Sequence, residues 1–381
     1  MKKNEAIKTG LDESIAISAQ ASSQTPPDID TLSAIKVAAE PAFDFRSDEY
    51  RTLFEASTAT AFQGPDWLHE FYETLAPSCN AEKIIITGRD LASGKLHFVL
   101  PLIQRRMKGI CLLESADLGV CDYSCPVIEP SSRDLLDTKS DLHSDIAKAI
   151  GRFDILRLKA IRNGSQDLWG LFFKGQALQL DFSSHEVILD KPFDEWRTEN
   201  FDKKHRTNLN YRMRRFHKKH TEITFETVPD DQVGAVIDKI QQLRVGRFVG
   251  DPIQHTCTRK FYRAVAIKGQ TGQFSKTHQL MADGKFVGAM FGLTYNGRHH
   301  GMLMACDYEK YGEFAPAFNM IDMLMANWQK EGGNVIDFDI GDEPYKPKFG
   351  TKPIKLFRIL RANSILGTLA LKISQLTGKT F

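Results

Sequence analysis

Read for its apolar and polar positions, the chain falls into two successive rounds of the same elements. The first round predicts a strand at Leu32–Ala38, helices at Asp48–Ser57 and Pro65–Leu75, and strands at Lys83–Arg89 and Leu96–Gln104 about a Gly94-Lys95 turn. A strand at Ile110–Glu114, a loop at Gly119–Ser132, a helix ending near Gly151, a buried strand at Phe153–Leu158, a short helix at Asp167–Phe173 and a strand at Leu178–Phe182 complete it. The second round predicts a strand at Glu222–Val228, helices at Asp231–Phe248 and Arg259–Lys268, and strands at Thr277–Ala282 and Lys285–Thr294 joined by Asp283-Gly284. Asn296-Gly297 turns into a strand at His299–Cys306, a loop at Asp307–Glu313 enters a helix at Phe314–Lys330, and strands follow at Asn334–Ile340 and Ile354–Leu360.

A three-strand meander followed by a helical crossover requires a mixed sheet, with one strand parallel to its neighbour. The expected fold is therefore α/β (α+β) with mixed sheets, in two tandem domains, residues 31–182 and 183–362. The boundary is expected between Asp181 and Trp196. Residues 1–30, with the piece QASSQTPP, have no periodicity and read as a disordered leader. Residues 363–381 add a helix, apolar at 365, 366, 369, 370, 373 and 376, which reads as a docking helix or a weak peripheral membrane contact.

Composition narrows the class. The 381 residues are 42% hydrophobic and 26% charged, as in an ordinary globular protein. A net charge of +2 makes no whole-chain demand for nucleic acid, and no DNA partner is expected. Six scattered cysteines without a CxxC pair fit reduced thiols and a cytoplasmic protein, with no metal site. No apolar run reaches the length of a membrane span.

Val335–Gly350 (VIDFDIGDEPYKPKFG) resembles the closing motif of FemAB/CelD-like acyltransferases of the GNAT superfamily, through Asp337, Phe338, Gly341, Asp342, Glu343, Tyr345, Lys346, Phe349 and Gly350. Cys306–Phe318 resembles the family's D-Y-x-x-Y loop into a helix, and Trp196–Phe216 its basic helix. Ala61–Leu75 and Asp122-Tyr123 resemble its N-terminal half more loosely. The resemblance implies two GNAT-like domains with the acyl-transfer cleft in or beside the second. It implies transfer of an acyl or aminoacyl group to an amine, in exopolysaccharide, cellulose or cell-wall precursor synthesis. Acyl-CoA is the implied co-substrate, none held tightly, and aminoacyl-tRNA the alternative donor. A silent protein binding a polyanion or a partner is the reading from another class. The loop Tyr308–Glu313 departs from the Q/R-x-x-G-x-G/A pattern that grips a coenzyme A pyrophosphate, having one glycine and two glutamates.

The candidate chemistry follows. Asp337, Glu343, Tyr345 and Lys346 stand at the carboxyl end of a buried strand, where α/β folds place ligands, and are the expected catalytic set. A carboxylate there suits proton removal from an amine, and Lys346 suits charge balance, or else a structural ion pair. Lys203–His220 carries eight Lys/Arg and no acid, and reads as a phosphate cradle or a solvated face, with Arg206, Arg212 and Arg215 as expected contacts. Asp307, Tyr308, Tyr311 and Asp342 are the remaining expected cleft residues, the tyrosines alternatively packing groups. His299 and His300, adjacent in a strand, point to opposite faces and are not expected to share a metal.

Overall fold

The strands follow the alternations in the sequence, and what joins them is long-range. The computed structural model describes residues 35–377. The expected leader and the first residues of the expected strand at Leu32–Ala38 lie outside them. Thirteen strands are present: β1 Ile35–Ala39, β2 Glu82–Asp90, β3 Leu96–Met107, β4 Ile110–Ser115, β5 Val127–Ile128, β6 Ile155–Arg162, β7 Ala177–Ile188, β8 Ile223–Thr227, β9 Ser275–Ala282, β10 Lys285–Tyr295, β11 Arg298–Cys306, β12 Val335–Ile340 and β13 Lys352–Ala362. They form one mixed sheet in the order β1-β2-β3-β4-β6-β13-β7-β12-β11-β10-β9-β8, with β5 on β3.

Both predicted meanders are present, β2-β3-β4 and β9-β10-β11. Each leads through a helical crossover to a parallel strand, β4 to β6 and β11 to β12. Asp283 and Asn296 take the left-handed conformation at φ 49° and 48°, as their hairpins with Gly284 and Gly297 demand.

The expectation of two separable domains is corrected here. The sheet is continuous, because each half ends on a strand placed in the other half's neighbourhood. β7 closes the first round yet pairs with β12 of the second, and β13 closes the second yet pairs with β6 of the first. β7 and β13 also pair with each other, so the expected boundary at Asp181–Trp196 begins inside a strand. The described residues fall in one compact unit.

Apolar clusters cover both faces. One joins Phe62, Trp67 and Phe71 of the first half to Phe261, Phe291 and Leu303 of the second. Another packs helix Lys203–Lys219 through Leu209 and Phe216 against helix Pro316–Lys330. Burial on this scale, at roughly 25 cal/mol per Å² of apolar surface, is the main force joining the halves. In the C-terminal helix Ile365–Thr377, the small residues Gly367 and Ala370 face the sheet, while Ile365, Leu366, Leu369, Ile373 and Leu376 are exposed.

Candidate active site

The site begins where β11 and β12 part. They pair only through Arg298–His300 with Val335–Asp337, although β11 runs on to Cys306 and β12 to Ile340. Beyond that point no backbone hydrogen bond from another segment bridges them among the described residues. Met302, Met304, Phe338 and Ile340 stay half-buried along the resulting wedge. Its mouth lies near the start of helix Pro316–Lys330, whose apolar face of Met320, Leu324 and Trp328 is buried.

A cleft of about 220 Å³ lies between that helix start and helix Lys203–Lys219. His205, Asn208, Leu209 and Arg212 form one wall, and Tyr308, Gly312, Ala315, Ala317 and Phe318 the other. Arg212 donates from Nη1 to the Glu313 carbonyl at 2.5 Å. Arg215 and Lys219 meet the Glu313 carboxylate at 2.6 and 3.0 Å, so the cationic face is partly neutralised by the loop opposite it.

His205 is the residue that sequence reasoning missed in this wall. Its Nε2 is buried without a hydrogen-bond partner, and its ring lies edge-on to Phe349 and Phe318, at 4.7 and 5.5 Å between centroids. Burial, then the nearby Lys348 charge, lowers its pKa and favours the neutral ring. The available signal was its place one turn before Leu209 on the packed stripe. Tyr308 carries the Arg247 guanidinium over its ring at 4.0 Å, and burial pushes its hydroxyl up to about 12, so it stays protonated. Tyr345 packs on Phe318, ring centroids 5.8 Å apart, and burial raises its hydroxyl too.

The rest of the expected set is placed differently. Lys346 is buried and donates to three carbonyls, Asp339 at 3.1 Å, Ile340 at 3.0 Å and Gly341 at 2.8 Å, with the Glu343 carboxylate at 2.8 Å. Its ammonium has three N–H groups, and this arrangement engages them in holding the Gly341 turn, where φ is 108°. The structural alternative describes Lys346 better than the catalytic one. Glu343 is exposed beside it. Asp342 pins that turn to β7, accepting from the Ser183 amide at 3.2 Å and meeting His185 Nε2 at 2.8 Å. The His185 contact holds the Asp342 carboxyl below its ordinary range.

Asp337 is fully buried behind the wedge, with both carboxylate oxygens engaged. Tyr123 donates to Oδ1 at 2.7 Å, as does the Asp339 amide at 2.9 Å, and Arg298 donates to Oδ2 at 2.8 Å. Arg162 and His300 stand 3.7 Å from Oδ2, and Glu186 accepts from both arginines. Asp337 therefore anchors an ionic network joining the halves, and direct contact with substrate is excluded by its enclosure. Asp339, at φ 56°, meets His300 Nδ1 at 2.9 Å. Burial and the Asp337 charge push the Asp339 carboxyl well up, and burial lowers His300 to about 4. His300, Asp337 and Asp339 have the spacing of a cation site, but Arg298 already supplies the positive charge there. His299 points the other way, its ring 5.6 Å from that of Trp328, as the strand alternation predicts.

Three further expectations resolve locally. Tyr311 is a core residue against Phe216, not a cleft residue. Arg206 donates to the Thr198 carbonyl and leaves the cleft to Arg212. Asp307 caps the turn Tyr308–Tyr311, accepting from the Lys310 amide at 3.1 Å.

Residues 203–347 match the family model described as an acetyltransferase (GNAT) domain. The fold is shared with FemX, at 12% identity and a TM-score of 0.57, over 81% of this chain and 94% of that one. It is shared also with a conserved protein of unknown function from Bacteroides thetaiotaomicron, at 13% identity and 0.54, over 85% and 99%. L-PGS from Bacillus licheniformis gives 12% and 0.52, over 88% and 98%. No curated protein matches the sequence.

Proposed function

We propose that the protein transfers an acyl group from a coenzyme A thioester to an amine of a sugar or peptide precursor in cell-envelope or exopolysaccharide synthesis. The observation that carries this reading is the cleft walled by Arg212, neutral His205 and protonated Tyr308, whose Phe318 packs on Phe349 and through it on Phe338 of the β11/β12 wedge. Arg212 and the basic helix face the donor's phosphates, and the apolar wedge walls take its uncharged arm. The amine lone pair adds to the thioester carbonyl, the C–S bond breaks, and the thiolate takes the Tyr308 hydroxyl proton. The proton released by nitrogen passes to the exposed Glu343 carboxylate, and solvent restores both groups. Asp337, Asp342 and Lys346 act as positioning residues.

One observation favours a second donor, aminoacyl-tRNA. The amides of the loop ahead of helix Pro316–Lys330 are largely spent internally: Lys310 to Asp307 Oδ1, Tyr311 to the Asp307 carbonyl and Ala315 to the Gly312 carbonyl. Pro316 supplies none, so few remain for a pyrophosphate.

Thermal shift with acetyl-CoA, longer acyl-CoAs and an aminoacyl-adenosine separates the donors. A true donor at about 100-fold its Kd stabilises by about 2.7 kcal/mol. Tyr308→Phe should then cut turnover by roughly a hundredfold with little change in Tm. Stabilisation by the aminoacyl compound alone moves the donor to tRNA, and an unimpaired Tyr308→Phe enzyme removes the acid role.

A further inference from the structure

The C-terminal helix is packed with the usual sides reversed. Gly367 and Ala370 lie against the sheet, and a Cβ on Gly367 would meet the Asp154 carbonyl oxygen at 2.1 Å, so the helix sits as close as a backbone allows. Its large side chains point away: Ile365, Leu366, Leu369, Ile373 and Leu376 are between 50% and 87% exposed. Five of the large exposed apolar side chains are thus gathered on one thirteen-residue helix, where scattered single ones would need no explanation.

The surroundings are basic. Lys372 is exposed on the helix itself, and Arg361 lies just ahead of it. Exposed Arg106 and Lys108 flank Met107, which packs with Leu371 against Ile110 and Ala370. The acids nearby are already committed. Asp154 accepts from Ser364 Oγ at 2.5 Å and from the Cys111 amide at 2.9 Å. Glu114 is held by Arg105 and Arg157, and Asp145 by Lys139 and Lys148. Next to the helix start, a cavity of about 370 Å³ has Ile146, Ile150, Phe153 and Phe172 in its walls together with Lys174 and Arg361.

We propose that this face, helix Ile365–Thr377 with its basic surround and the adjoining apolar cavity, seats reversibly on an anionic lipid surface. The helix lies in the plane of the interface with its five large side chains among the acyl chains and the lysines and arginines at the headgroups. A second copy is the poorer occupant, since an isologous pairing would set Lys372 and its basic neighbours against their own images. No helix among the described residues is long and apolar enough to cross a membrane, so attachment of this kind lies on the surface. The proposal stands apart from the acyl-donor reading, because none of these residues lines the cleft between helices Lys203–Lys219 and Pro316–Lys330.

Vesicle co-sedimentation of the full chain tests it, using phosphatidylcholine vesicles with and without phosphatidylglycerol. The chain should partition onto the phosphatidylglycerol vesicles, more weakly onto pure phosphatidylcholine, and less as salt is raised. Leu369→Asp with Ile373→Asp should lower that partition by roughly tenfold or more while leaving the melting curve unchanged, because both side chains are exposed. Lys372→Glu should lower it several-fold, by roughly the share of one cation. Absence of binding to phosphatidylglycerol vesicles overturns the proposal, as does equal binding by the double variant. A dimer in light scattering that the double variant splits overturns it in favour of a second copy.

Discussion

The molecule contains the same wedge twice and treats the two oppositely. In the first half β4 and β6 pair only through Leu112–Glu114 with Ile155–Arg157, then part as β11 and β12 do. There the chain closes its own opening. The loop through Val120, Cys121, Tyr123 and Cys125 is buried beside β6, and Ser124 bonds to the Ala160 and Lys159 carbonyls at 3.1 and 2.5 Å. Trp169 Nε1 reaches the Ser124 carbonyl from the far side at 3.4 Å. In the second half the corresponding stretch of chain is the turn Tyr308–Phe314, which stays at the mouth and leaves the wedge open. Both inner strands carry a left-handed residue near their ends, Ala160 at φ 50° and Asp339 at φ 56°. The filled wedge has an alanine there and the open one a buried acid. The two wedges thus differ in what occupies them, a buried loop in the first half and an open mouth in the second.

The open wedge has a buried ionic network at Asp337 and the filled one a loop bonded through Ser124 to the β6 backbone, and each part can be broken separately. The largest effect is expected for Asp337→Ala, which leaves the buried Tyr123 hydroxyl without its acceptor and Arg298 and Arg162 with Glu186 alone. Unfolding in urea should show a loss of about 3–5 kcal/mol, against about 1 kcal/mol for Ser124→Ala in the filled wedge. Comparable losses at the two positions would erase the distinction.

Lys346→Met comes next. It leaves three carbonyls at the end of β12 without their donor and should cost about 3 kcal/mol, while activity per folded molecule stays within a few-fold. A stable variant with no turnover would return Lys346 to the catalytic set.

The smallest effect is a tilt with pH. Asp339 has its folded-state pKa raised, so the stability it contributes is complete below the ordinary carboxyl range and declines as pH rises toward the raised value. His300, lowered to about 4, acts in the other direction and only as pH falls below the histidine range. Asp339→Asn has no proton to lose there, so its Tm should fall less than that of the parent as pH rises from the ordinary carboxyl range. Parallel curves would show that Asp339 is already ionised.

Much of this architecture is legible in the sequence. The Asp-Gly and Asn-Gly turns fix β9-β10-β11 almost to the residue, and the apolar stripe of Pro316–Lys330 locates the crossover helix. β7 is seen only in part, as Leu178–Phe182, because Ser183, Ser184, His185 and Glu186 break the apolar alternation. They do so since they face Asp342 and the Arg162–Arg298 network rather than a greasy core. In β12 the pattern misleads in the same way: Asp337 and Asp339 are buried while Phe338 is half-exposed to the wedge. Alternation reveals that a strand has two faces, but which face meets a buried arginine depends on partners far away in sequence. The same limit hides His205, whose role comes from Phe318 and Phe349 across the cleft, and it hides the exchange of closing strands altogether.

That exchange sets a timetable for the newborn chain. When the ribosome has finished the first half, β6 has a bare edge, and its partner β13 is made only after β12. β7 meanwhile waits for β12. Both edges are templates for a foreign strand until β12 and β13 have been made. Neither half's part of the sheet is complete without the other, so a product ending before Lys352 leaves β6 and β7 each with an unpaired edge that exposes it to foreign strands.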